Sequence, residues 1–283
     1  MKYWLPIIFF FSTGNVLAAP PQLNFDLNTQ RAAPDSQIVV KMMLGGQEPI
    51  NALRLTWRYP AKILQPVIFN DSRSIVDIWQ TRNWQETAGV IEIDGGLTRP
   101  FSGPNGEIAE ITFNIKTEGR ARLELVAAEI YLADGLGTRR LLSNQAAEIV
   151  ISRQAEVVKP ELKIDREPPQ FEFTQTVQSP TESTYLVIFQ VKDWSSGLRT
   201  THLRSRQWLN WTEWSEVTNP ARLPAGVWQY QIRAVDNQDN KKIETVYLGR
   251  ELVLKLAGLV LTIIVFGFVI LFKVKKWRQL KKF

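Results

Sequence analysis

Three short runs hold the side chains whose types and spacing could do chemistry. In "AVDNQDN", Asp236, Asp239 and Asn240 put hard oxygen ligands on one loop, with Asp193 as a more distant contributor. Oxygen donors of this kind suit calcium. The spacing lacks the glycine and the terminal glutamate of an EF-hand loop. The run is therefore expected to be a polar turn whose Asp and Asn side chains bond their own backbone, with calcium as the alternative. In "WLNWTEW", Trp208, Trp211 and Trp214 recur every third residue. They are expected to cover the end of a small sandwich, the alternative being a stacked sugar or a partner contact. Trp79 and Trp84 flank "QTRN" between two strands. Such indoles either plug a sandwich end or stack on sugar rings while the Gln, Arg and Asn groups bond hydroxyls. No resident cofactor or metal is expected.

Other chemistry is excluded by count. Without cysteine there is no disulfide, thiolate nucleophile, cysteine zinc site, iron–sulfur cluster or lipidated thiol. The single histidine, His202 in "RTTHLRSR", rules out multi-histidine metal sites. It would have to serve any serine–histidine–acid set, and no G-x-S-x-G motif accompanies it. The run from Gly95 to Gly106 is rich in glycine and proline, but no Gly-Lys-Ser/Thr follows, so it is a turn and not a phosphate loop. Any 28 acids contain many pairs of the kind glycoside hydrolysis uses, yet such hydrolases need a larger fold with a cleft. The expectation is that the protein is not an enzyme.

The elements that must position these residues are all-β, between two targeting ends. Lys2, the apolar run Leu5 to Phe11 and the small residues before Pro20 read as a secretory signal peptide, residues 1–18, cleaved after Ala18. Leu252 to Phe272 is apolar except for Lys255 and Thr262, and as a helix it spans about 30 Å. The basic tail 273–283 behind it, with Lys281 and Lys282 near its end, is a positive-inside signal. The expected topology is a single-pass cell-membrane protein with its ectodomain outside and its C-terminus in the cytoplasm. The tail's six positive charges account for the whole net charge of +6, so the body is near neutral and nucleic acid is not an expected partner.

Within 23–152, Leu53, Leu55, Trp57 and Tyr59 alternate with Arg54, Thr56 and Arg58, and Ile38, Val40, Met42 and Leu44 keep the same period. Ala109, Ile111, Phe113 and Ile115 repeat it. Period two with one apolar face marks half-buried strands, and about nine fit here, enough for two packed sheets. The apolar pattern lapses over 153–168, where Lys159-Pro160-Glu161 and Pro168-Pro169 read as a stiff linker. Strands resume in 169–249, with Trp228, Tyr230, Ile232 and Ala234 on one face, in a smaller sandwich expected to fold independently.

Residues 23–152 resemble the cohesin domain of cellulosome scaffolding proteins. The resemblance rests on "INALRLTWRYPAKIL", "GVIEIDGGLTRPFSGPNGEIAEITFNI" and "GRARLELVAAEIYLADGLGT", which agree in order. It implies a nine-stranded jelly-roll sandwich, related in fold to bacterial carbohydrate-binding modules, that binds a dockerin module through one sheet face. Residues 169–249 resemble a bacterial Ig-like domain, through "DWSSGL" and "GVWQYQIRAVDNQDNKK". The "WLNWTEW" run is similar to the tryptophan ladder of thrombospondin repeats, in which arginines separate the rings and disulfides hold the fold.

Two functions follow as expectations. The first is a membrane-anchored extracellular scaffold whose cohesin-like module docks a dockerin-like or other surface protein, across a face that includes Arg54, Arg58, Arg122 and Glu124. The second is a surface adhesin linked to polysaccharide binding or breakdown, with Trp79 and Trp84 against sugar. A polysaccharide-binding sheet needs a planar row of exposed aromatics, whereas Trp57, Tyr59 and Phe113 fall on the apolar face.

Overall fold

The computed structural model describes residues 21–85, 89–142, 146–161, 164–179, 184–207 and 209–248, together with 262 and 264–267 in a helical stretch. The signal peptide, most of the expected membrane span and the basic tail lie outside the described residues. Among the described residues no helix is long and apolar enough to cross a membrane.

Among the described residues the first module holds nine strands: β1 (Gln22–Leu27), β2 (Arg31–Ala32), β3 (Gln37–Arg58), β4 (Leu64–Asn70), β5 (Ile78–Asn83), β6 (Val90–Ile115), β7 (Gly119–Leu132), β8 (Arg139–Leu141) and β9 (Ala146–Ile151). Strands β3 and β6 are unusually long and pair antiparallel along most of their length, with register shifts near Leu44 to Ala52. Those irregularities bend both strands, so each serves two layers. In one layer, residues 37–44 of β3 lie between β1 and the second half of β6, which carries β4 on its far side. In the other, residues 52–58 of β3 lie between the first half of β6 and β7; β5 flanks β6, β8 and β9 flank β7, and β2 joins β9 in parallel.

The alternation read from the sequence directs the packing. Leu53, Leu55, Trp57, Ile38, Val40 and Phe113 fall in one continuous buried cluster. The Trp57 ring stacks on Phe25 at 5.2 Å and meets Phe113 edge-on at 6.1 Å, tying one layer to the other. Burying such rings contributes ~1.5–3 kcal/mol each.

The second module has a three-stranded sheet, β10 (Gln170–Gln178), β11 (Tyr185–Lys192) and β14 (Ala221–Leu223), facing a four-stranded one. The latter runs β13 (Ser215–Glu216), β12 (Leu198–Arg206), β15 (Gln229–Asp236), β16 (Lys241–Tyr247). Val187, Phe189, Leu203, Leu223, Tyr230 and Ile232 form a separate core. Tyr230 is fully buried, with its hydroxyl 2.7 Å from Thr176 Oγ1. Trp228 departs from the expected pattern. It precedes β15, is 38% exposed, and lies over the Arg206 guanidinium instead of joining Tyr230, Ile232 and Ala234 inside.

The segment between the modules is bonded to both. Ala33 N–H donates to Glu156 C=O, Gln37 N–H to Val158 C=O, and Val158 N–H to Ser36 Oγ. Further on, the Asp165 N–H donates to Gln238 Oε1 of the second module at 2.8 Å.

Candidate functional site

The first candidate is the outer face of the layer formed by β6, β3 and β7. Because Leu53, Leu55 and Trp57 point inward, Arg54, Thr56 and Arg58 point outward. Register sets Arg54 beside Asp94 of β6 on one side and Glu129 of β7 on the other. Arg54 places Nε and Nη2 each 2.9 Å from Asp94 Oδ2, and this carboxylate holds the guanidinium pKa above its ordinary value. Glu129 accepts from the Tyr131 hydroxyl at 2.9 Å and from Arg139 Nη1 at 3.0 Å. The Glu129 bond raises the Tyr131 pKa, since losing the phenolic proton would set two anions together. Arg58 is exposed and makes no ion pair among the described residues. The face is thus a grid of alternating charges, while Trp57, Tyr59 and Phe113 are buried.

Trp79 and Trp84 lie elsewhere, where the edge strand β5 meets the second module. A Cβ on Gly95 would stand 2.5 Å from Val76 Cγ1 and 2.8 Å from the Ile78 carbonyl, so only glycine lets β5 close on β6 there. Behind the strand, Phe69 meets Trp79 edge-on at 5.6 Å and Trp84 at a 32° tilt, 6.2 Å away. Both indoles therefore plug the module's end in part, yet both also line a cleft of about 410 Å³ whose far wall is the second module.

That junction is held by charge and backbone. Leu198 N–H donates to Asp71 Oδ1 at 2.8 Å, and Arg82, 3.3 Å from Asp71 Oδ2, donates to Leu198 C=O at 2.8 Å. Burial raises the Asp71 pKa in spite of Arg82 and the Leu198 N–H. The Asn237 amide donates to Phe69 C=O at 2.7 Å, and Lys192 pairs with Asp77 at 2.6 Å. Burial works to raise the Asp77 pKa, but Lys192 and Thr98 outweigh it and hold the carboxyl low.

Of the calcium candidates, Asp193 and Asp236 come together with Asp165, a residue the sequence reading missed because it sits in the linker. One oxygen of each lies within 4.8 Å of the others, a spacing one hard cation could bridge. Each carboxylate also accepts backbone N–H bonds: Asp165 from Glu167 and Ser196, Asp193 from Ser195 and Gly197, Asp236 from Gln238 and Asn240. Burial raises the Asp193 pKa first of all, and the charges of Asp165 and Asp236 add to it; the N–H bonds oppose. Asn240 turns its amide Nδ2 toward Asp236 at 2.7 Å. Asp239 is apart, exposed and paired with Arg199.

The tryptophan run differs from expectation. Trp208 lies outside the described residues, but Trp211 and Trp214 lie on the outer face of the four-stranded sheet, not over the sandwich end. Arg204 sits between Trp211 at 4.7 Å and Trp214 at 4.5 Å, and Arg206 between Trp211 at 5.6 Å and Trp228 at 5.1 Å. Arg233 closes the stack 4.4 Å from Trp214. The cause is alternation: Arg204, Arg206 and Arg233 are the outward residues of β12 and β15, and a guanidinium plane attracts an indole face. Arg204 Nε also donates to Gln231 Oε1 at 2.8 Å. Rings and cations interleave here without any disulfide. His202 adjoins this face opposite Arg233. Burial, then Arg233, lowers its pKa, and no nucleophile or acid hydrogen-bonds to it among the described residues.

No protein-family model matches the chain, and no curated protein matches it. Solved cohesin modules do. The cohesin module of a Clostridium perfringens family 33 glycoside hydrolase is 15% identical, with 48% of this chain and 97% of that one covered and a TM-score of 0.39. The sixth cohesin of Acetivibrio cellulolyticus scaffoldin B, solved in complex with a dockerin, is 20% identical over 46% and 99%, with a TM-score of 0.39. A non-cellulosomal cohesin from the archaeon Archaeoglobus fulgidus is 19% identical over 48% and 94%, with a TM-score of 0.40.

Proposed function

We propose that this chain is a membrane-anchored, non-enzymatic binding protein of the cell surface. Its first module docks another extracellular protein, of dockerin-like or similar kind, through the outer face of β6, β3 and β7. One observation carries the reading: that face is a broad grid of charge in which Asp94, Arg54, Glu129 and Arg139 alternate, with Arg58 beside it. Charge grids of this kind fix orientation and speed encounter with a protein of complementary pattern. The same face offers polysaccharide little, because the strand aromatics are spent inside. The second module, an Ig-like stalk in this reading, and the apolar run 252–272 would hold the face outside the membrane.

The test is capture of secreted proteins by the full-length chain in detergent, beside the double substitution Arg54→Glu and Arg58→Glu. One or a few proteins are expected to be captured at moderate salt and lost from the variant. Capture that survives both substitutions would overturn it, as would binding of glycans alone.

A further inference from the structure

We infer that the cleft between the modules is a second binding site, for a short neutral oligosaccharide. This goes beyond the protein-docking reading and uses a different surface. The cleft holds about 410 Å³, within the ~300–1,000 Å³ of small-ligand sites. One wall carries Trp79, Gln80, Asn83 and Trp84; the other carries Glu216 and Thr218.

The chemistry of the walls selects the ligand. Both cations lining the cleft are already answered, Arg82 by Asp71 and Arg199 by Asp239, and Asp77 is answered by Lys192. Glu216 accepts the Thr200 hydroxyl at 2.6 Å, and its carboxylate would repel an acidic ligand. By contrast, the side chains of Gln80, Asn83 and Thr218 and the Trp84 indole N–H make no hydrogen bond among the described residues. What remains uncommitted is therefore amide, hydroxyl and indole beside two aromatic rings. A sugar presents the complement: apolar C–H faces for the rings and a rim of hydroxyls for the amides. An acidic peptide would find no unanswered cation here. Because the uncommitted groups come from both modules, the ligand would bridge them. The junction bonds at Asp71, Arg82 and Asn237 fix the two walls relative to each other before any ligand arrives, which lowers the entropic cost of binding.

The experiment titrates the full-length protein in detergent with hexasaccharides of glucose, xylose and N-acetylglucosamine, and with hexagalacturonate as the acidic control. Tryptophan fluorescence and calorimetry give the readouts. At least one neutral hexasaccharide is expected to bind saturably and to quench or shift the emission. Trp84 also packs against Phe69, so the decisive variants are Asn83→Ala on one wall and Thr218→Val on the other, which break no side-chain hydrogen bond among the described residues. Each should weaken binding at least tenfold, with thermal unfolding unchanged. Absence of neutral-saccharide binding, preference for hexagalacturonate, or binding indifferent to either wall would each overturn the inference. Protein capture by the outer face is measured separately, so either reading can fail alone.

Discussion

Asp71 of the first module accepts the backbone N–H of Leu198 in the second at 2.8 Å, and the partner of its ion pair, Arg82, donates to the carbonyl of that same residue. Both backbone polar groups of one residue are thus held by the two halves of one mostly buried ion pair. Breaking such a pair from one side leaves a charge without compensation, which is far worse than never having built it.

Arg82→Ala should therefore destabilise the chain by ~3–5 kcal/mol at neutral pH, because it strands a buried carboxylate whose pKa burial already raises. Adding Asp71→Asn should recover much of that loss, since the amide oxygen can still accept the Leu198 N–H. Acid should narrow the defect too: a stranded Asp71 takes up a proton below its raised pKa and ceases to be charged. Urea unfolding of the two single variants and the double variant at pH 7 and pH 5 measures this. Strictly additive losses would refute it.

Gly197 adjoins this pair and carries its own constraint. Its φ is +82°, and a Cβ there would lie 2.6 Å from Asn70 Oδ1 and 2.8 Å from the Asp71 N. Gly197→Ala should cost about 1–3 kcal/mol through left-handed strain and collision combined. The damage should fall on the junction. Limited proteolysis should cut the 153–168 segment faster in the variant, while far-ultraviolet circular dichroism stays β-rich.

Much of this architecture was legible as period-two alternation. Leu53 to Tyr59 and Ile38 to Leu44 announce which residues face the core, because a strand's side chains alternate whatever its neighbours are. Alternation also fixed the outward side of Arg54 and Arg58. What it could not supply was proximity across sequence. Nothing in "KIDREPP" places Asp165 beside Asp193 and Asp236, and nothing in "QTRN" says that Arg82 would reach Leu198, more than a hundred residues away. The tryptophan stack shows the same limit. The spacing of Trp211 and Trp214 was visible, and so were the arginines of "HLRSR", but only the register of β12 against β15 brings Arg233 to the end of the row.

Within that stack, Arg204 touches two indoles and one amide. Arg204→Ala should lower stability by ~2–3 kcal/mol, from two cation–π contacts and the packing of the aliphatic stem. Arg204→Lys should recover less than half, because an ammonium is not planar and cannot lie flat between two rings. Loss of near-ultraviolet circular dichroism from the ordered indoles should accompany both changes. Full rescue by lysine would show that charge alone matters.

Asp193 is where the carboxylate cluster is most sharply tested. Its folded pKa lies above its ordinary 3.8 because burial, and then the like charges of Asp165 and Asp236, disfavour the anion. A raised acid pKa means that the folded state holds its proton more tightly than the unfolded chain. This group's contribution therefore falls as pH rises from about 3.8 through the folded pKa, and above it the anion is a standing cost. Asp193→Asn keeps an oxygen for the Gly197 N–H and removes the charge, so stability at pH 7 should rise by on the order of 1 kcal/mol. The gain should fade below pH 4, and chelator should leave the wild-type melting temperature unchanged. If calcium instead raised that temperature in the wild type and not in the variant, the cluster would be a cation site rather than three capped turns.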